Sequence, residues 1–132
     1  LEQDPIKKAD YLYSAAAVLF ANKQLSKAKQ YALNSIRSNG ESGKPYMLIA
    51  QMYASSPNWS DEAALNKCTF FAVIDKLQKA KSVDPSCAEE ADKLIRTYAG
   101  YTPKDEDLFF IGIKKGAAVT IGGWIGETTT VR

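Results

Sequence analysis

A mainly α fold, with antiparallel helix pairs closed by a C-terminal helix and β-hairpin, is what this 132-residue sequence predicts. Three observations predict it. Apolar residues recur at helical spacing through about the first hundred positions. The same apolar face returns at regular offsets along the chain. Finally, Gly, Thr and β-branched residues crowd into "GAAVTIGGWIGETTTVR" (116–132), which marks a change to extended structure.

Asp4-Pro5 opens the first helix, since Asp can cap and Pro fits the first helical position. Ile6, Ala9, Leu12, Tyr13, Ala16, Leu19 and Phe20 follow at helical spacing. "ANKQLS" breaks the pattern. A second helix runs through Leu25, Ala28, Ala32, Leu33 and Ile36 until Asn39-Gly40 stops it. A third carries Tyr46, Ile49, Ala50 and Tyr53 and ends before "SSPNW".

Ser60, with Asp61 and Glu62 behind it, starts the next helix, because acids favour the positive end of the helix dipole. Neither Gly nor Pro interrupts the run to Val83, which predicts one long helix of roughly 35 Å at 1.5 Å per residue. Asp84-Pro85 stops it. Ser86 and Glu89 form a capping-box pair for a helix ending at Gly100. Thr102-Pro103 and the acids at 105–107 open a last short helix through Phe109 and Ile113, closed by Gly116.

In the tail, Val119, Ile121 and Ile125 alternate with Thr120 and Trp124. Gly126-Glu127 suits a two-residue type II′ turn, and Thr128 to Val131 supply the returning strand. An isolated hairpin is marginal in water. Its Ile, Val and Trp side chains are therefore expected to pack on the helices with Phe109 and Phe110, or its outer strand to pair with another chain in self-association.

The composition fits one soluble globular domain, with 45% hydrophobic and 24% charged residues. No apolar run approaches the ~20 residues of a membrane span. Net charge is +2, with Lys and Arg interspersed among Asp and Glu, so solvated helix faces are expected rather than a basic nucleic-acid stripe. Histidine is absent, which removes the commonest general base and metal ligand near neutral pH. The chain opens on Leu1 with no basic or strongly apolar leader, the pattern of a mature form after leader removal or of a trimmed chain.

Leu12, Ala15, Ala16 and Leu19 recur after 34 residues as Tyr46, Ile49, Ala50 and Tyr53. The same face returns after a further 45 as Ala91, Leu94, Ile95 and Tyr98, the extra length falling in the insertion around "SSPNWSDEAAL". Ala28, Ala32 and Ser35 map onto Val73, Leu77 and Ala80 by that shift of 45. The recurrence makes residues 1–100 a helical-repeat region with an insertion at 55–65. Residues 101–132 form an extension packed on it in the same domain.

These repeats resemble the tetratricopeptide repeat (TPR) family, an α-α superhelix, and the resemblance implies two repeats plus a capping helix, or plus the first helix of a third repeat. "KLQKAKSVDPS" (76–86) looks like the family's "KALELDP" ending, and "AKQYALNSI" (28–36) is similar to the second helix of a repeat. Gly40 stands where the first repeat would carry its terminal Pro, and the second repeat has the insertion. "EDLFFIGIKKG" followed by "VTIGGWIGETTTVR" resembles the C-terminal extension of a group of bacterial TPR proteins of uncharacterised activity, many of them exported. That likeness favours an exported, periplasmic location over a cytoplasmic one.

The resemblance implies a groove lined by the first helix of each pair, which binds peptides or helices. The transferred groove positions are Tyr13 and Ala17, Met47 and Gln51, and Asp92 and Arg96. A clamp for a terminal carboxylate is not expected, because only Arg96 fits it and Asp92 opposes it. A mixed aromatic-polar groove of Tyr13, Met47, Gln51 and Arg96 is the candidate partner site. Trp59, in the insertion, is a candidate exposed anchor; folded back, it would be a hydrophobic staple on the helix after Ser60.

Other chemistry is poorly provided for. Cys68 and Cys87 would lie roughly 28 Å apart along the helical reading, whereas a disulfide needs α-carbons within about 7 Å, so two free thiols are expected. "GGWIGETT" places Glu127 where a P-loop needs Lys, and no helix follows. Asp105, Glu106 and Asp107 fit a helix start better than a metal site. Neither a metal nor a cofactor is expected. The expectation is a non-catalytic domain that binds protein or peptide or scaffolds an assembly. The alternatives are an anionic-ligand or nucleic-acid binder using Lys23, Lys27 and Lys29, and an enzyme, for which no nucleophile-base pair is found.

Overall fold

A computed structural model describes residues 4–132. Leu1, on which the reading of the chain's start rests, lies outside the described residues. Asp4 Oδ1 accepts the Ile6 N–H at 2.9 Å and also that of Lys7, so α1 (Pro5–Ala21) begins on the cap its sequence announces. At its far end Gln24 N–H reaches back to Leu19 and Lys23 N–H to Phe20, with Lys23 at φ 63°. This is a Schellman closure in which a lysine occupies the left-handed position usually taken by Gly.

α2 (Leu25–Ser38) packs on α1 through small side chains. Ala9, Ala16, Ala28, Ala32 and Ser35 are all buried, and Ser35 Oγ donates to the Ala9 carbonyl at 2.7 Å. Small residues let the two backbones approach. α3 (Lys44–Ser55) contributes most to the core: Ile49, Met52 and Tyr53 have no exposed surface, and the helix packs on α2 and on α5 (Thr69–Val83). α5 in turn packs on α6 (Ala88–Ala99).

The single long helix expected from Ser60 to Val83 is two helices, α4 (Ala63–Lys67) and α5, separated at Cys68. Side chains pulled toward the insertion account for the break. Asn66 Oδ1 accepts the N–H groups of Trp59 and Ser60 at 2.9 and 2.8 Å, and its Nδ2 donates to the Ser60 carbonyl. Thr69 Oγ1 donates to the Pro57 carbonyl at 2.9 Å. Cys68 closes the turn on Leu65 with an i−3 bond.

The Ser86/Glu89 capping box is also replaced. Asp84 accepts the Ser86 N–H and hydroxyl, caps one 3₁₀ turn over Pro85–Cys87, and leaves α6 to begin without a side-chain cap. Asp84 Oδ2 also accepts the Gly43 N–H at 2.9 Å, tying the turn before α3 to the turn before α6.

α7 (Asp105–Phe110) touches α4 and ends earlier than expected, at Gly112 rather than Gly116. Ile113 N–H reaches Leu108 and Gly112 N–H reaches Phe109, with Gly112 at φ 80°, a left-handed closure that suits Gly.

The tail forms an antiparallel pair, β1 (Ala118–Thr120) and β2 (Thr128–Thr130), with Val119 opposite Thr129. The two-residue turn at Gly126-Glu127 is absent; residues 121–127 bridge the strands, with Ile121 N–H donating to Glu127 O at 2.7 Å. Burial outweighs turn propensity here. Ile121 and Ile125 are buried, and Trp124 meets the Tyr53 ring edge-on at 5.4 Å while its indole N–H donates to Ser56 Oγ.

Val119, Ile121, Ile125 and Val131 join one core with α3 and α5. Phe109 and Phe110, expected to share that packing, are instead exposed; Leu108 supplies the inward contact. Polar contacts fix the tail on α5: Thr129 Oγ1 and Arg132 both bond Asp75, and Lys76 pairs with Glu127 at 2.6 Å. Among the described residues, no helix is long and apolar enough to cross a membrane.

Candidate functional site

Two faces of α3 divide its residues. Ile49, Met52 and Tyr53 have no exposed surface, while Lys44, Met47, Leu48 and Gln51 succeed one another at i, i+3, i+4 and i+7 along an adjoining side, where Met47 and Leu48 are themselves buried in the core and Lys44 and Gln51 are exposed. These four, with Tyr13 of α1 and Glu90 of α6, line a depression of about 220 Å³. Gln51 also borders a second hollow of about 490 Å³, walled by Ala54, Phe70, Thr97, Tyr98 and Tyr101. Gln51 thus joins the two recesses across the gap between α1, α3 and α6.

The second hollow is aromatic. Phe70 stacks on Tyr98 at 5.9 Å and on Tyr101 at 5.3 Å, with Tyr98 and Tyr101 6.2 Å apart. Tyr98 lies in the last turn of α6, and Tyr101, in the turn just after it, donates its N–H to the Tyr98 carbonyl, so both reach the ring that α5 presents. Tyr101 is exposed, and the stack keeps an aromatic surface open to solvent.

Of the residues singled out from sequence, Tyr13, Met47 and Gln51 come together in the first depression. Arg96 does not line it; its side chain is exposed, with no hydrogen bond or ion pair to the described residues. Asp92 is drawn away into an ion pair with Lys81 of α5 at 2.6 Å.

Trp59 is half-buried and borders an open hollow with Asn58, Ser60 and Asp61. Its ring lies so close to Gly122 that a β-carbon there would stand 2.8 Å from Trp59 Cε3. The tail covers one face of the indole. Lys23 and Lys27 are exposed, whereas Lys29 donates its ammonium to the Ile125 carbonyl and is not a free surface charge.

Among the residues at the depressions that the sequence reading does not single out for the site are Lys44, Leu48, Phe70, Glu90, Tyr98 and Tyr101. The Tyr98-x-x-Tyr101 spacing was a usable signal for one wall. Nothing local announces that Phe70, on another helix, completes it.

A second polar group lies beneath the tail. Lys29 Nζ sits 5.2 Å from the Tyr53 ring centre and 2.6 Å from Ile125 O. Burial lowers the Lys29 pKa, opposed by the charge of Glu127. Burial, with the charge of Glu127 nearby, pushes the Tyr53 phenol far above its ordinary range, and its buried hydroxyl has no hydrogen-bond partner among the described residues. Burial likewise raises the thiols of Cys68 and Cys87, both of them free and buried. This cluster holds the tail in place. Among the described residues, no three His, Cys, Asp or Glu side chains converge as a metal-binding set.

No protein-family model matches the chain, and no curated protein or solved structure matches it.

Proposed function

We propose that the chain is a non-catalytic, TPR-like binding domain that receives an extended protein segment along α3, between α1 and α6. The single observation that carries this reading is the meeting of the two recesses at Gln51. A primary amide offers two donors and an acceptor, the complement of a peptide backbone. The half-buried Tyr13, over the buried Met47, on one side and the Phe70–Tyr98–Tyr101 stack on the other offer apolar surface for side chains flanking that backbone. The order of helix packing, α1 on α2, α2 on α3, α3 on α5 and α5 on α6, is the one that stacked helix pairs require, and it supports the TPR-like reading.

The test is selection from a displayed random-peptide library, followed by NMR mapping of the selected peptides. Amide shifts should cluster at Tyr13, Met47, Gln51 and Tyr98. Gln51→Ala and Tyr98→Ala should each weaken binding by about tenfold or more. Peptides that bind with unchanged affinity to both variants, or that perturb a different face, would sink the proposal.

A further inference from the structure

Phe110 is 85% exposed, more than any other large apolar side chain among the described residues, and its neighbour Phe109 is 71% exposed. Both project from the end of α7. Beside them opens a recess of about 560 Å³ whose apolar wall is Leu108, Ile113 and Val131 with the two rings. One patch therefore carries both a protruding aromatic knob and an apolar hole.

Its rim carries both signs of charge, with Asp105 and Glu106 on α7 and Lys114 and Lys115 just after it. Asp105 and Lys115 pair with each other at 3.5 Å. Glu106 and Lys114 form no ion pair with the described residues. A two-fold interface uses the same patch on both subunits, so residue i meets j while j meets i. Such a patch must complement itself in shape and in charge, and this one has both halves of each.

We propose that α7 and residues 111–115 form an isologous dimer interface, in which Phe110 of each copy enters the recess of the other and Glu106 of each copy faces Lys114 of the other. The occupant of this surface is a second copy of the chain. A partner bearing a single sign of charge would leave either the acid or the lysine side of the rim opposed by like charge. The interface is separate from the groove along α3 and does not depend on it.

Sedimentation velocity of the full chain, from about 1 μM to about 1 mM, tests the idea. Wild type should show a reversible monomer–dimer equilibrium, and Phe110→Asp should weaken it by at least about tenfold. Phe110 is exposed, so the substitution should leave the helical circular dichroism unchanged. Glu106→Lys and Lys114→Glu should each weaken the dimer by roughly two- to fivefold, and the double reversal should restore it. Mixing the two single variants should give a heterodimer tighter than either homodimer. A chain monomeric throughout, a dimer indifferent to Phe110→Asp, or a double reversal without rescue would each overturn the proposal; the first would assign the recess to another protein.

Discussion

The Lys29 ammonium donates to the Ile125 carbonyl at 2.6 Å, joining α2 to the tail across 96 residues of sequence. The same ammonium lies over the Tyr53 ring, against whose edge Trp124 packs. Three segments distant in the chain thus meet at one side chain. A hydrogen bond from a charged donor contributes about 1.5–3 kcal/mol, and an ammonium over an aromatic ring about 0.5–1 kcal/mol when exposed. Part of that is offset by the cost of desolvating the lysine.

Lys29→Met, which keeps the aliphatic stem, should therefore destabilise the fold by about 1–2 kcal/mol. Hydrogen exchange should accelerate first at Ile121 and Val131, whose N–H groups bond within the tail. Equal stability in urea, with unchanged protection of those two amides, would show that the contact contributes nothing to tail docking.

Much of the helical layout was legible because its signals are local. Asp4-Pro5 and Asp84-Pro85 carry their own stop and start chemistry, and both operate as read, with Asp4 capping α1 and α5 ending at Val83. Alanines 9, 16, 28 and 32 fall on the apolar faces that the helical spacing marks, and all four are buried. The break at Cys68 was not legible, since it depends on Asn66 and Thr69 finding backbone partners in the insertion.

The tail shows the same division. Gly126-Glu127 has the right residues for a tight turn, but Trp124 and Ile125 gain more by reaching Tyr53 and the core. At the candidate site, Tyr13, Met47 and Gln51 were named from the repeat, whereas Arg96 stands apart and Phe70 was overlooked. Spacing places a residue on a helix face. It does not say which neighbouring helix that face will meet.

Asp84 provides a pH-dependent prediction. The Gly43 N–H, and then the Ser86 hydroxyl and N–H, stabilise its charged form and hold its pKa below the usual carboxylate value. A carboxylate with a depressed folded-state pKa contributes stability that is fully present above the unfolded value, about pH 4. That contribution is lost as pH falls through the folded-state pKa. Asp84→Asn should be less stable than wild type at pH 7, and the difference should shrink progressively below about pH 4. Urea unfolding of both proteins at several pH values checks this. A gap that stays constant down to about pH 2 would mean that Asp84 acts through shape rather than charge.

Gly43 occupies the tightest close approach between the two turns that Asp84 links. A β-carbon there would stand 2.5 Å from Cys87 Sγ, 2.9 Å from the Ala80 backbone oxygen and 3.1 Å from Asp84 Cβ. Its backbone, at φ −80° and ψ −15°, is accessible to any residue, so the requirement for Gly is one of space. Gly→Ala would otherwise stabilise by about 0.4–1 kcal/mol through the unfolded chain, whereas overpacking typically costs about 1–3 kcal/mol. Gly43→Ala should therefore be destabilising on balance, because one of the obstructing atoms is backbone and cannot swing aside. Cys87→Ala removes the nearest obstruction but leaves the Ala80 oxygen, so the double substitution should cost less than the sum of the single ones while remaining below wild type. Gly40→Ala is the control: its nearest neighbour would be Ile36 O at 3.7 Å, an ordinary contact, and its stability should stay within about 0.5 kcal/mol of wild type. Urea midpoints for the four variants decide the matter. If Gly43→Ala matched Gly40→Ala, the turns before α3 and α6 would not be locked together as the Gly43–Asp84 hydrogen bond implies.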